Sequence, residues 1–131
     1  FDKVEQILGL PVVVAAHPNG KDIPEYRTVF GSRKVYFDIT PELCSQSTLV
    51  MAHCSTALSY VGLWNKPLVI LTSEAMDNSH MGMHIHESSS QFRCPLIFME
   101  SEIELYRSAI KISQEIDVLA YRSYIDNYII T

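Results

Sequence analysis

The sequence predicts an α/β fold, an open parallel sheet with helices on both of its faces. Three observations carry that expectation. Four short runs are apolar throughout: PVVVAA over 11–16, TLVMAH over 48–53, PLVILT over 67–72 and PLIFM over 95–99. Strands without polar alternation suit a sheet covered on both sides, as parallel sheets are. The stretches between these runs carry helix start and stop residues, and strands alternating with helices imply right-handed crossovers. The length, 131 residues, fits one domain with one core, so a single α/β domain over 1–131 is expected.

The elements follow in order. Val4, Ile7 and Leu8 give residues 2–8 an apolar helical face, and Gly9 is a stop signal. The run over 11–16 is the first strand, ended by the turn residues His17-Pro18-Asn19-Gly20, and the polar stretch to Tyr26 is loop. Residues 27–30 read as extended, and 34–37 more clearly so. Asp38 or Thr40 can cap a helix with Pro41 and Glu42 in its first turn, ending near Gln46. After the strand over 48–53, Ser55 opens a helix through Leu58, Val61, Gly62 and Leu63 to Trp64, with Asn65 as its stop. Ser73 and Glu74 start another helix after the strand over 67–72, and the fourth strong strand is 95–99. The remainder is helical. Tyr121, Tyr124, Ile125, Tyr128 and Ile129 line one face of a terminal helix, which needs either this sheet or another domain as its partner. Together these make a Rossmann-like sheet of about five strands.

Composition narrows the function classes. With 47% hydrophobic residues, six Pro and five Gly, the chain is neither disordered nor of low complexity. Fifteen acidic residues against ten basic, net charge −5, argue against nucleic acid as the main partner. No apolar run approaches the roughly 18 residues of a membrane span. Cys44, Cys54 and Cys94 are widely spaced and include no CxxC pair, so the expectation is reduced thiols in a cytoplasmic compartment. The chain begins at Phe1, directly in helical text, and is expected to be cut from something longer.

In an open parallel sheet, ligands bind outside the carboxyl ends of the strands, where helix N-termini and their unpaired N–H groups gather. The residues delivered there are His17-Pro18, Cys54-Ser55-Thr56 and Thr72-Ser73-Glu74. Ser55-Thr56-Ala57 sets two hydroxyls and a small residue at a helix start, where the dipole and free amides can receive a phosphate without Lys or Arg. An ordinary N-cap has the same spelling. Pro18 pushes His17 toward extended geometry, so its imidazole projects from the strand end and could donate to a phosphate oxygen. A loop histidine bonded to a carbonyl is the plainer reading. His53 is read as turned toward the core, and Glu74 as either a helix-start acid or an acceptor for ribose hydroxyls.

His80, His84 and His86 form an H-x3-H-x-H pattern, but His86 falls off the helix face of the first pair and no HExxH is present; no metal site is expected. Gly31-Ser32-Arg33-Lys34 is read as a solvated basic turn, phosphate contact being the lesser alternative. The sequence contains no GxGxxG, no GxxxxGK(S/T) and no GxSxG.

With those residues in place, the sequence resembles the C-terminal, donor-binding domain of GT-B type glycosyltransferases, in particular bacterial capsule and surface-polysaccharide Kdo- and sialyltransferases. The matching text is VVAAHP over 13–18, LVMAHCSTALSY over 49–60 and NKPLVILT over 65–72. In that family an HP dipeptide and a Ser-Ser/Thr pair contact the phosphate and nucleotide of an activated sugar. The resemblance therefore implies His17, Pro18, Ser55, Thr56 and Ala57 as donor-binding positions, with Glu74 a weaker carry-over. His17 is the best candidate for stabilising the leaving phosphate; no other catalytic residue is assigned. A basic residue often follows HP in such proteins, whereas Asn19-Gly20 stands here.

The resemblance further implies a CMP- or UDP-sugar as substrate, no tightly bound cofactor, and an N-terminal acceptor domain supplied by the same chain. It places the enzyme in the cytoplasm, with the inner face of the membrane as a site of peripheral association. On that reading the fragment alone does not turn over. A sugar-nucleotide epimerase or polyol-phosphate transferase half-domain is the alternative among enzymes, and a non-catalytic nucleotide-binding module the alternative outside them.

Overall fold

The computed structural model describes residues 1–16, 30–53 and 57–128. It is an α/β structure with two small parallel sheets, one of two strands and one of three. The described chain falls into two compact units, Phe1–Gln46 and Ser47–Thr131.

The first unit begins with α1 (Asp2–Leu8), which ends at Gly9 in the left-handed region, φ 66°. The stop signal read from the sequence is therefore a backbone fact, since glycine alone adopts that conformation without Cβ strain. Strands β1 (Val14–Ala16) and β2 (Val35–Phe37) pair in parallel, Val14 opposite Val35 and Ala16 opposite Phe37. Helix α2 (Thr40–Gln46) packs on β1 and buries Cys44. It ends where expected, but the residue immediately preceding it is Ile39, whose carbonyl accepts from the Leu43 N–H at 3.1 Å. Thr40 is thus the first helical residue, not its cap, and Asp38 stands further out with φ 63°.

Polar contacts hold this unit together. Glu5 accepts from the Val12 N–H at 2.9 Å through Oε2 and from Arg33 Nη2 at 2.6 Å through Oε1. Arg33 also pairs with Asp2, and its guanidinium lies 5.5 Å above the Phe1 ring, which stacks on Phe30. Arg33 is therefore drawn down onto α1; the solvated turn expected at 31–34 does not hold for its one arginine.

The Val12 N–H first, and then Arg33, hold the Glu5 carboxyl below its ordinary value of 4.5. A carboxyl whose folded pKa is depressed stabilises the fold above its unfolded pKa, and the contribution is lost as pH falls through the folded value. Thermal unfolding followed from pH 7 down to about pH 3 should show an acid loss that is shallower in Glu5→Gln, which still accepts from Val12 but carries no charge.

The second unit is built on β3 (Val50–Ala52), β4 (Leu68–Thr72) and β5 (Leu96–Phe98), parallel and in that spatial order. All five residues of the central strand are buried, which is why its sequence shows no alternation. Helix α3 (Leu58–Trp64) crosses from β3 to β4, and α4 (Glu74–Asp77) with α5 (Gly82–Phe92) from β4 to β5. Two crossovers of one hand between strands in sequential order land on the same face. Accordingly Leu58 and Val61 of α3, Ile85 and Phe92 of α5, and Leu68 and Ile70 of β4 share one core with Tyr121. Helix α6 (Ile103–Ser113) packs against β4 and β5, burying Tyr106, Ala109 and Ile110.

The terminal helix α7 (Val118–Tyr128) packs against α3 and α5. Tyr121 and Ile125 are buried, Tyr124 packs on the core, and Tyr121 Oη donates to the Lys66 carbonyl at 2.8 Å. Of the two partners considered for its apolar face, this unit's own core takes those three residues. Contact is close because α3 presents Gly62 there, where a Cβ would stand 2.9 Å from Ile125 Cδ1.

Both α3 and α5 end on a left-handed residue that is not glycine, Asn65 (φ 49°) and Arg93 (φ 49°). In each the next N–H returns to the last turn, Lys66 to the Val61 carbonyl at 3.1 Å and Cys94 to the Ser89 carbonyl at 3.2 Å. Asparagine tolerates this conformation and arginine does so less readily. Arg93→Gly is therefore expected to raise stability by about 0.5–1 kcal/mol in urea denaturation, its exposed pairing with Asp117 contributing little.

Candidate functional site

Because β3, β4 and β5 run parallel, the chain leaves all of them at one edge of the sheet, after Ala52, Thr72 and Phe98. That edge is the candidate site. Of the residues expected there, His53, Ala57, Thr72, Ser73 and Glu74 are described. His17 and Pro18, and Cys54, Ser55 and Thr56, lie outside the described residues.

Ala57 precedes the first helical residue of α3 and accepts from the Tyr60 N–H at 3.0 Å and the Val61 N–H at 3.3 Å. It occupies the cap position, so α3 starts at Leu58 and not at Ser55. Ala57 has no side-chain acceptor for the first helical amides.

At the end of β4, Ser73 is a true N-cap: its backbone is extended and its Oγ accepts from the Met76 N–H at 3.2 Å. The Glu74 N–H donates to Glu100 Oε1 at 3.2 Å. A carboxylate from the residues after β5 thus sits on the first turn of α4, where the dipole favours it. Glu100 was not singled out from the sequence, although the rule that found Glu74 points to it equally: it lies two residues beyond the end of a strand.

His53, one residue past β3, places its ring Nδ1 2.6 Å from the Leu71 carbonyl oxygen of β4. A carbonyl only accepts, so Nδ1 carries the proton. This is the satisfied, half-buried histidine that the sequence reading favoured.

Tyr106 Oη donates to the Met99 carbonyl at 2.8 Å, and burial, followed by the nearby Glu100 charge, raises its pKa. Burial pushes the Cys94 thiol up to about 11, so it is not a nucleophile at neutral pH. A cavity of about 10 Å³ beside Cys94, Pro95, Ser113 and Tyr121 has room for one water at most. It lies at the start of β5, away from the candidate edge.

The histidine-rich segment is divided by the fold. His86 pairs through Nε2 with Asp77, tying α5 to the end of α4, while His80 and His84 are exposed. Among the described residues no group of three or more His, Cys, Asp or Glu is arranged to hold a metal ion. Arg33, the other residue considered for phosphate contact, is engaged by Asp2 and Glu5. No helix among the described residues is long and apolar enough to cross a membrane.

Compared with known proteins, the chain matches no family model, no curated protein and no solved structure.

Proposed function

We propose that the chain is the donor-binding half of a GT-B type glycosyltransferase that transfers a sugar from a nucleotide-sugar in surface polysaccharide synthesis. The reading is supported by the parallel β3-β4-β5 sheet, which in sequence is followed at its strand ends by Ser55-Thr56-Ala57 after β3 and by Ser73-Glu74 after β4. β3 ends three residues before Ser55 and α3 begins two after Thr56, so in sequence the pair lies between a strand end and a helix start.

On this reading the chain is a Rossmann-like α/β half, and His17 and Pro18 take part in donor binding as the sequence resemblance implies. The roles then divide by charge. The Ser55-Thr56-Ala57 turn, with no carboxylate in its sequence from His53 to Trp64, receives the donor phosphates. The start of α4 already carries Glu100 on the Glu74 amide, so it repels phosphate and suits hydroxyl groups of the ribose. His17 donates to the leaving phosphate and stabilises the charge that builds there. The sugar acceptor comes from an N-terminal domain of the complete chain, and the enzyme works in the cytoplasm, against the inner membrane face.

Calorimetric titration with CMP- and UDP-sugars tests the division. His17→Ala, which removes one charge-assisted hydrogen bond of roughly 1.5–3 kcal/mol, should weaken binding about 10- to 150-fold. Unchanged affinity in His17→Ala contradicts the assigned role.

A further inference from the structure

One cation of the first unit is held in an arrangement that uses only part of its hydrogen-bonding capacity. The Arg33 side chain is 16% exposed, and its Nη2 carries both the Asp2 and the Glu5 carboxylates of α1. Nη1 turns back to the Phe30 carbonyl at 3.3 Å. The Nε–H is buried and meets no acceptor, the one such side-chain polar atom among the described residues. A guanidinium binds an oxyanion best through two parallel N–H groups, and Nε with Nη2 forms one such fork. Here two carboxylates crowd one half of the fork, and neither engages the other half.

We propose that Arg33 is a masked phosphate site: Asp2 and Glu5 stand where a terminal phosphate group binds the guanidinium, and such a group displaces them when α1 yields. The proposal goes beyond the donor-binding reading and does not depend on it. The mask is lightly anchored. Helix α1 buries Val4 alone, the Asp2 side chain is 97% exposed, and exposed ion pairs contribute little. The Phe1 ring, 5.5 Å from the guanidinium carbon, belongs to the same segment and leaves with it.

The receiving turn, by contrast, is held independently of α1. Gly31 adopts the left-handed conformation, φ 67°, and the Arg33 N–H returns to the Phe30 carbonyl at 3.4 Å. The Lys34 carbonyl accepts from the Val14 N–H at 3.0 Å, and pairing of β2 with β1 follows at Val35. Lys34 is exposed and adds a second positive charge to the turn. Charge also selects the ligand. A terminal phosphate carries about −1.5 to −2 at pH 7, so it replaces two carboxylates nearly charge for charge, and its three oxygens fill both halves of the fork.

Titration with inorganic phosphate and with methyl phosphate, followed in nitrogen-15 spectra that include the Arg33 Nε–H, tests this. The unmasked variant is Asp2→Asn/Glu5→Gln, and the control is Glu87→Gln/Asp126→Asn, which removes two exposed charges elsewhere. The unmasked variant should bind phosphate at least about tenfold more tightly than wild type, as one charge-assisted hydrogen bond provides, with the Nε–H signal shifting. Adding Arg33→Lys should abolish that gain, since lysine keeps the charge and lacks the fork. Binding of methyl phosphate as well assigns the site to phosphate esters, and binding of phosphate alone assigns it to the free anion; either supports the proposal. Equal affinity in wild type and the unmasked variant, an equal gain in the control, or full affinity with Arg33→Lys overturns it. The amides of β1 and β2 report whether the two strands stay paired. If the unmasked variant loses that pairing, Asp2→Asn alone decides: a gain of about threefold supports the mask, and no gain overturns it.

Discussion

Phe92→Ala should cost about 3–5 kcal/mol of stability, a large effect for a single truncation. Phe92 is fully buried at the end of α5, 5.0 Å from the Tyr121 ring in an edge-on arrangement and 4.4 Å from that of Tyr124. It also faces Gly62 of α3, so this α5 ring touches both α3 and α7. Removing it leaves a void that α3 and α7 cannot readily close, because they already meet tightly where Gly62 faces Ile125. Urea denaturation of the variant beside Leu119→Ala measures this. Leu119 is 77% exposed and its loss should change stability by less than about 0.5 kcal/mol. Equal midpoints for the two variants would contradict the packing described for the second unit.

Gly82→Ala is the second large effect, expected at about 3 kcal/mol, the upper end of the overpacking range. A Cβ at Gly82 would stand 2.2 Å from the Asp77 carbonyl oxygen and 2.9 Å from the carbonyl carbon. Those are backbone atoms at the end of α4, so no rotamer change relieves the clash. Alanine in a helix gains about 1 kcal/mol over glycine, and the sign of the change therefore discriminates. If the corner between α4 and α5 is as tight as described, the steric term wins and stability falls. A stabilised Gly82→Ala would show that the corner has room. The contrast with Gly62 is instructive, since there the opposing atoms are the tip of Ile125, a flexible side chain that can rotate away.

Much of the fold was legible because β4 is buried on both faces and α7 carries a one-sided apolar stripe. Leu68–Thr72 could hardly be anything but a central strand, and Tyr121 with Ile125 needed a core. Gly9 and Asn65 announced helix ends through backbone chemistry that depends on local residues alone. The corner at Gly82 was not legible. Its cause is a contact between Gly82 and the Asp77 backbone; Asn78, Ser79 and Gly82 mark a break in the sequence, but not how closely the two helices meet there.

The helix start at Leu58 was misplaced for a related reason. Ser and Thr are strong cap residues, yet Ala57 holds the position in space. At the site, Ser73 and Glu74 could be found by counting from a strand end. The Nδ1 contact of His53 could not, because it depends on which carbonyl of β4 lies beside it. Glu100 could have been found by applying the strand-end rule once more, after 95–99.

The central claim is that the carboxyl edge of the β3-β4-β5 sheet receives a nucleotide-sugar. Its most direct test is a nitrogen-15 NMR titration of this chain with CMP-, UDP- and GDP-sugars. Saturable shifts are expected for the amides of 55–58 and of Ser73 and Glu74 with one of these donors, and none at Cys94 or Pro95's neighbour Leu96 on the opposite edge. Absence of any shift at 55–58 with all three donors would contradict the account.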